Sequence, residues 1–357
     1  MLEITGMNTR VAEKRRSRSG LGRYGVALVA LLLAGATGAM IGKADLDPGT
    51  VLAILLSRLP FVHVVPWWPA SYDAILMEVR LPRVIMGALV GSGLSVAGAT
   101  YQGLFRNPLA DPYLVGVAAG AGLGAALAMA LPMPPALYSM GIIQLAAFLS
   151  ALVTVGLVYS LARVGRSTPV TTLLLSGVAV GSLASAATSF VMYSQGDKIP
   201  VIYAWMLGGF NSSGWKQVAL TAPPVLASAL VLSLLGGIAN VLQLDDDQAH
   251  SLGVNVELMK LVMIVCATLA TAASVAAAGL IGFVGLVVPH AVRLLWGPHY
   301  RSVIPLSALI GAAFLAAADS AARLLPGSQE VPVGVVTAFC GAPFFLFLLR
   351  QQKRSVF

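Results

Sequence analysis

The sequence predicts an all-α, polytopic membrane protein of about ten transmembrane helices, and three observations predict it. Only 10% of the 357 residues are charged and 58% are hydrophobic, where soluble domains carry roughly 25% charged residues. Mean hydropathy is +0.86. Apolar runs long enough to cross a hydrocarbon core of ~30 Å at ~1.5 Å per residue recur along the whole chain, leaving no stretch for a water-soluble core.

Taken in order, the runs predict spans over 24–42, 82–105, 113–130, 141–162, 170–194, 217–239, 260–278, 283–296, 303–322 and 334–350. The first follows a polar, basic segment, residues 1–23, with Lys14, Arg15, Arg16, Arg18 and Arg23. Its length, and the many spans behind it, favour an uncleaved helix over a secretory signal, although the small residues of Ala34–Ala39 leave cleavage open. The loop from Lys43 to Val79 contains Pro60, Pro66, Trp67, Trp68 and Pro69, and paired Trp with Pro reads as an interfacial segment at the outer face. His63, in that loop, reads as an ordinary interfacial histidine ahead of a haem or metal contact. Span two opens at Arg80-Leu-Pro-Arg83, with Pro82 suited to a first helical turn.

Small residues recur every fourth position in span two (Gly87, Gly91, Ser95, Ala99, Gly103), span three (Gly116, Gly120, Gly124, Ala128) and span five (Gly177, Gly181, Ser185, Ser189). Residues at that spacing share a helical face, and small faces let helices approach closely in lipid. A stripe reads as tight packing or as the lining of a pathway, packing being the plainer reading for any one of them. The eighth span is short and carries Pro289, so a broken or partly inserted helix is expected there. The organisation is one transmembrane domain, 24–350, between a basic tail at 1–23 and a short tail at 351–357, with no visible internal repeat.

The net charge is +8. With the N-terminus inside and the spans alternating, Lys43, Arg58, Arg80, Arg83, Lys198, Lys216 and Arg323 fall outside, and the other Lys and Arg of the 22 fall inside. This is the positive-inside bias. The basic charge is therefore a topology signal, and no basic extramembrane domain exists to hold nucleic acid. The look-alike of a phosphate loop at Gly42-Lys43 fails, with Ala44 in place of Ser or Thr and Thr37 at the first glycine position. No zinc-protease helix or nucleophile elbow is present. Cys266 and Cys340 read as buried small hydrophobes. No cofactor or metal site is expected in this chain, and no catalytic residue.

Four features carry candidate function. In the loop 240–259, Asp245, Asp246 and Asp247 favour a helix start through capping and the helix dipole, Gly253 ends it, and Asn255 with Glu257 opens another. Two short helices with a glycine elbow make a docking plug; a solvated loop is the plain alternative. Arg80, Arg83 and Arg323 lie outside against the charge bias. Forked hydrogen bonds to a partner's carboxylates and snorkelling to headgroups are equally good accounts of them. Asn107-Pro108-Leu109-Ala110-Asp111-Pro112 is turn chemistry and serves equally as a turn or a gate. Asp319, the acid inside a span, sits four residues from Arg323, and a local ion pair accounts for it.

From Arg80 to Arg350 the chain resembles the permeases of vitamin-B-twelve, haem and ferric-siderophore ABC importers. The motifs that carry this are RLPRVIMGALVGSGLSVAGATYQGLFRNPLADPYLVGVAAGAGLG (80–124), LLLSGVAVGS (173–182), YAWMLGGF (203–210), HSLGVNV (250–256), GLIGFVGLVVPHAVRLLWGPHYR (279–301) and EVPVGVVTAFCGAPFFLFLL (330–349). The resemblance implies a type II ABC importer permease: ten helices per subunit, and a homodimer enclosing the substrate path. It also implies two ATPase subunits at the cytoplasmic face and an extracytoplasmic substrate-binding protein. On matching positions, Arg80, Arg83 and Arg323 correspond to residues that engage the binding protein. Asn107 and Leu109, with Thr171 and Thr172, correspond to the cytoplasmic gate. Asp245, Asp246, Asp247, His250, Ser251, Leu252, Gly253, Val254 and Asn255 correspond to the ATPase-coupling region. Tyr203–Phe210 corresponds to a short outer helix. Leu280 departs from the proline common at its position, and the Trp-rich N-terminal part matches loosely.

The expected function is import of a metal chelate, an iron-siderophore or haem, across a bacterial cytoplasmic membrane by alternating access, with both termini inside. Cobalamin is the alternative cargo. Ser185, Thr188, Ser189 and Met192 are the expected pathway lining. An ion-coupled secondary transporter is the alternative of another class, and it predicts paired ionisable groups near the membrane centre.

Overall fold

The computed structural model describes residues 22–42, 44, 46–165, 167–325 and 330–354. Most of the basic tail expected at 1–23, the loop residues Lys43 and Asp45, Arg166, and the last residues of the C-terminal tail lie outside the described residues.

Each expected span is a helix. They are α1 (Gly22–Met40), α4 (Leu81–Leu104), α5 (Val117–Ala130), α7 (Ile142–Ala162), α8 (Val170–Ser194), α10 (Trp215–Leu234), α13 (Val256–Ala278), α14 (Val284–Trp296), α15 (Tyr300–Leu324) and α16 (Val333–Arg354). Short helices join them: α2 (Pro48–Ser57), α3 (Ala70–Ala74), α6 (Pro135–Met140), α9 (Ile199–Met206), α11 (Gly236–Val241) and α12 (Asp246–Ser251). Seven of the helices are long and apolar enough to cross a membrane by themselves, and α5, α14 and α16 are shorter apolar helices.

The second span begins earlier than the sequence suggests. The helix runs without interruption from Ala70 to Leu104, through a π-helical stretch at Ile75–Arg80. Pro82 therefore does not start it. Pro82 has no N–H for the carbonyl four residues back, and its ring crowds that carbonyl. The wider turn just before it, in which Leu81 N–H reaches back to Leu76 O, carries the helix past a residue that cannot donate.

α4 is the hub: it packs against α15, α13, α10 and α14, and nearly all of it from Pro82 to Leu104 is buried. The small-residue stripe on α4 is packing. A Cβ on Gly91 would overlap the Gly311 carbonyl of α15, and one on Gly98 would overlap the Gly285 carbonyl of α14. The α5 stripe is packed likewise, Gly120 and Gly124 lying against Thr154 and Ala146 of α7. The α8 stripe changes character along its length. Gly177 is wedged against Leu114, whereas Ser185 and Ser189 are exposed.

The break expected in the eighth span is not at Pro289, which lies inside a continuous α14 (Val284–Trp296); the irregular backbone lies ahead of that helix. Residues 279–283 leave the helix, with Gly279 at φ +72 and Phe283 at φ +69. The backbone freed there is tied down by Tyr113, whose hydroxyl donates to Ile281 O (2.9 Å) and accepts from Ile281 N (3.2 Å). Gly209 N donates to Ala278 O (2.8 Å). Irregular backbone persists at such depth when neighbouring protein satisfies it.

Candidate functional site

The two ends of α4, ~36 Å apart at 1.5 Å per residue, carry different polar clusters. Arg80 and Arg83 stand at one end and Arg106 at the other. The charges expected on one side of the membrane gather accordingly. Arg23 donates to Trp296 O (3.1 Å) on the Arg106 end, where Arg293 also lies.

At the first end Arg80, Arg83 and Arg323 stand together, and all three guanidinium groups turn into the protein. Arg80 is 4% exposed and caps the last carbonyls of α1, donating to Ala39 O (2.8 Å) and Met40 O (2.6 Å), and it also donates to Ala44 O beyond the helix. A cation at a helix C-terminus is favourable. Arg83 forks onto Asp319, with Nη2 at 2.8 Å and Nε at 3.1 Å, and reaches Glu330 through Nη1 at 2.8 Å. Arg323 Nε lies 3.2 Å from Asp319, and its Nη1 donates to Ile41 O (2.5 Å). The local Asp319–Arg323 pair read from the sequence is present, and Arg83 completes it. Burial drives the inward turn. The end of α1 and the segment after it offer carbonyls to Arg80 and Arg323, and Asp319 is 1% exposed.

At the second end, α12 projects from the bundle. Only Ala249 on it is buried, while Leu244 and Leu252 beside it are exposed, Leu252 at 62%. Gly253 at φ +81 ends it, and Asn255 caps the next helix by accepting from Leu258 N (3.1 Å). The glycine elbow is thus as expected. The second helix is not short: it is α13 itself, a 23-residue span. The Asp245 carboxylate makes no side-chain cap and instead lies 3.6 Å from Arg106.

The turn between α4 and α5 sits beside α12. Asn107 Oδ1 accepts from Leu109 N (3.0 Å) and Asp111 Oδ1 from Tyr113 N (2.8 Å), so the Asx residues build the turn as their chemistry suggests. Arg293 of α14 holds its far side, donating to Gln102 Oε1 (2.6 Å) and Pro108 O (3.3 Å). Arg106 holds its near side. Its backbone is at φ +49, and its side chain donates to Leu242 O (3.0 Å), Leu244 O and Asp246 Oδ1 (3.0 Å). Asp246 also accepts from Lys260 Nζ (2.8 Å), and Lys260 lies 3.3 Å from Glu257. Glu257 accepts from Thr168 N (3.0 Å), just ahead of α8. The Lys260 ammonium bonded to it, with Arg106 alongside, holds the Asp246 carboxyl below the usual carboxylate range. His250, Ser251 and Asp247 are exposed, and Val254 is half-buried.

On α8, Thr171 is exposed, while Thr172 bonds back to Ala162 O (2.9 Å) and Pro169 O (2.8 Å). Ser185 and Ser189 lie on a free face with Leu175, Leu183 and Phe190. Thr188 is buried, its hydroxyl donating to Ala184 O (2.9 Å), and Met192 packs against the core. The lining set expected from sequence shares one side of α8 but straddles its edge, Ser185 and Ser189 exposed and Thr188 and Met192 packed inward.

Sequence reading missed Arg106 and Lys260, which it counted as topology charges, and the anchoring role of Glu257, which it read as a helix start. Their spacing from Asp246, 140 and 14 residues, carries no local period. Among the described residues no His, Cys, Asp or Glu cluster could hold a metal.

A helical bundle in which seven helices are long and apolar enough to cross a membrane, with a polar helix projecting at one end, is the architecture of a multi-pass membrane protein. The chain belongs to the FecCD transport family, whose pattern matches residues 28–351. It is 42% identical to the cobalamin import system permease protein BtuC of Halobacterium salinarum, covering 92% of this chain and 95% of that one. It is 38% identical to the hemin transport system permease HmuU of Yersinia pestis (81% and 88%). It is also 38% identical to the Fe(3+)-citrate import permease YfmD of Bacillus subtilis (95% and 98%). A solved structure assigned as a metal-chelate type ABC transporter, in an inward-facing conformation, superposes with a TM-score of 0.79 at 30% identity, covering 94% of this chain and 99% of that one.

Proposed function

We propose that this chain is the membrane permease subunit of an ATP-driven importer that carries an iron chelate, a siderophore complex or haem, by alternating access. The exposed α12, bonded to the α4–α5 turn and, through Lys260 and Glu257 of α13, to the approach to α8, is the observation that carries the reading. Two ATPase subunits dock on α12 through Leu252 and its neighbours Asp245, Asp247, His250 and Ser251, with Gly253, Val254 and Asn255 shaping the elbow. The end carrying α12 faces the cytoplasm, in keeping with the excess of Lys and Arg there, and the chain lies in a bacterial cytoplasmic membrane. The free face of α8, with Thr171, Ser185 and Ser189, meets a second copy and lines the path between them. Asn107 and Leu109 close that path on the cytoplasmic side. A binding protein docks at the opposite end, where Arg80, Arg83 and Arg323 act as internal braces for the docking surface. ATP is hydrolysed in the partner subunits.

Cobalamin is the second reading, favoured by the 42% identity to a cobalamin import permease. The test is uptake in proteoliposomes holding this chain, its ATPase and its binding protein, offered haem, a ferric siderophore and cobalamin in parallel. Uptake of haem or the siderophore that stops when the ATPase is omitted supports the reading. Uptake of cobalamin alone moves the cargo to the second reading. Uptake that persists without ATPase on an ion gradient overturns the importer.

A further inference from the structure

The polar contacts around Asp246 do more than cap a helix, and this inference rests on the reading of α12 as the point where an ATPase engages. Asp246 accepts from two cations that belong to different parts of the bundle. Arg106 stands on the α4–α5 turn (3.0 Å) and Lys260 near the start of α13, in its second turn (2.8 Å). From Lys260 the contacts continue to Glu257 (3.3 Å), and from Glu257 to the backbone N–H of Thr168 (3.0 Å), two residues ahead of α8. One carboxylate thus branches to the turn holding Asn107 and Leu109 and to the start of the helix holding Thr171 and Thr172.

The backbone aims Arg106 at α12. Arg106 is one of two non-glycine residues at positive φ among the described residues, and there it closes α4, Arg106 N donating to Gly103 O (3.2 Å) and Asn107 N to Gln102 O (3.2 Å). That close points its side chain at a set of acceptors at the base of α12: Leu242 O, Leu244 O, Asp245 and Asp246.

We propose that Arg106 and Asp246 form a releasable clasp that ties α12 to the α4–α5 turn, and through Lys260 and Glu257 to the entry of α8, so that one displacement of α12 shifts both gate elements together. Arg106, Lys260 and Glu257 are positioning residues: they act on the gate through the turn and the helix start. The pairs are half-exposed at Arg106 and Asp246, so the clasp opens without the cost of stripping a buried charge of its partner.

Two measurements on the assembled importer test it. The first is uptake per ATP hydrolysed for Arg106→Gln, Asp246→Asn and the conservative Arg106→Lys. A clasp predicts that the two neutral variants lower the ratio at least fivefold and that Arg106→Lys, which keeps a cation against Asp246, retains a good part of it. A role in folding alone lowers uptake and hydrolysis in proportion and overturns the proposal. The second does not depend on transport. Spin labels at Gln248→Cys and Leu114→Cys, with Cys266 and Cys340 replaced by Ser, report the distance between α12 and the far side of the turn. The clasp predicts one narrow distance distribution that broadens with Asp246→Asn; an unchanged distribution overturns it. Absence of ATP-dependent uptake in the unmutated complex would reject the importer reading instead, and the label distances would still decide whether the clasp exists.

Discussion

Removing Asp319 is the sharpest perturbation of the polar end opposite α12. Its carboxylate is 1% exposed and receives Arg83 Nη2 at 2.8 Å, Arg83 Nε at 3.1 Å and Arg323 Nε at 3.2 Å. With Asp319→Ala, Arg323 keeps Ile41 O, and Arg83 keeps only Glu330, whose side chain is 25% exposed. Breaking a buried pair by deleting one partner costs about 3–5 kcal/mol. Because Glu330 continues to neutralise part of the charge, the lower figure, ~3 kcal/mol, applies. At ~2 °C per kcal/mol for a large chain, the thermal midpoint of the detergent-solubilised protein falls by roughly 6 °C. Asp319→Asn, which keeps an amide oxygen to accept from Arg83 and Arg323, should lose less. Midpoints from loss of the monodisperse peak on heating read both. A fall under about 2 °C for Asp319→Ala, or an Asp319→Asn variant less stable than Asp319→Ala, refutes the bracing.

Three further outcomes follow from the same geometry. Gly98→Ala puts a methyl group into the Gly285 carbonyl and costs at least the ~1–3 kcal/mol of overpacking, whereas Gly156→Ala, with nothing within 4 Å, is neutral or slightly stabilising in the same melting assay. Tyr113→Phe loses both hydrogen bonds to Ile281 and leaves buried backbone groups unmatched at ~1–3 kcal/mol, visible as faster amide exchange across 279–283. The Asp246 carboxyl has a lowered folded-state pKa, so its contribution is complete above the unfolded value of ~3.9 and disappears only as pH falls below it. Amide exchange in α12 should stay flat from pH 8 to 5 after correction for intrinsic rates and rise on acidification beyond that.

The helices were legible because their cause is local: an apolar run of sufficient length and a polar break. The glycine elbow at Gly253 and the Asn255 cap were legible for the same reason. The Ala70–Arg80 extension was not, because Pro82 reads as a start until the π turn before it is known. α2, capped by Asp47 through Gly49 N (2.9 Å), was hidden in a stretch whose Trp and Pro residues dominated the reading. The arginine cluster shows the deeper limit. Arg80 finds its acceptors 36 to 41 residues away and Arg83 finds Asp319 across 236. Sequence gives the charge and the side of the membrane, and only packing gives the partner. The same holds for Arg106, whose role depends on α12 folding back beside it.

In the proposed function, α12 is the place where an ATPase engages this chain. Leu252 is 62% exposed, so Leu252→Asp leaves the bundle intact and places a charge where an apolar contact is needed. Co-purification of the ATPase with the Leu252→Asp chain, scored against the unmutated chain at equal thermal midpoint, measures this directly. Loss of the ATPase from the variant complex is the predicted result. Full recovery of the ATPase with the variant would contradict the claim that α12 is its docking site.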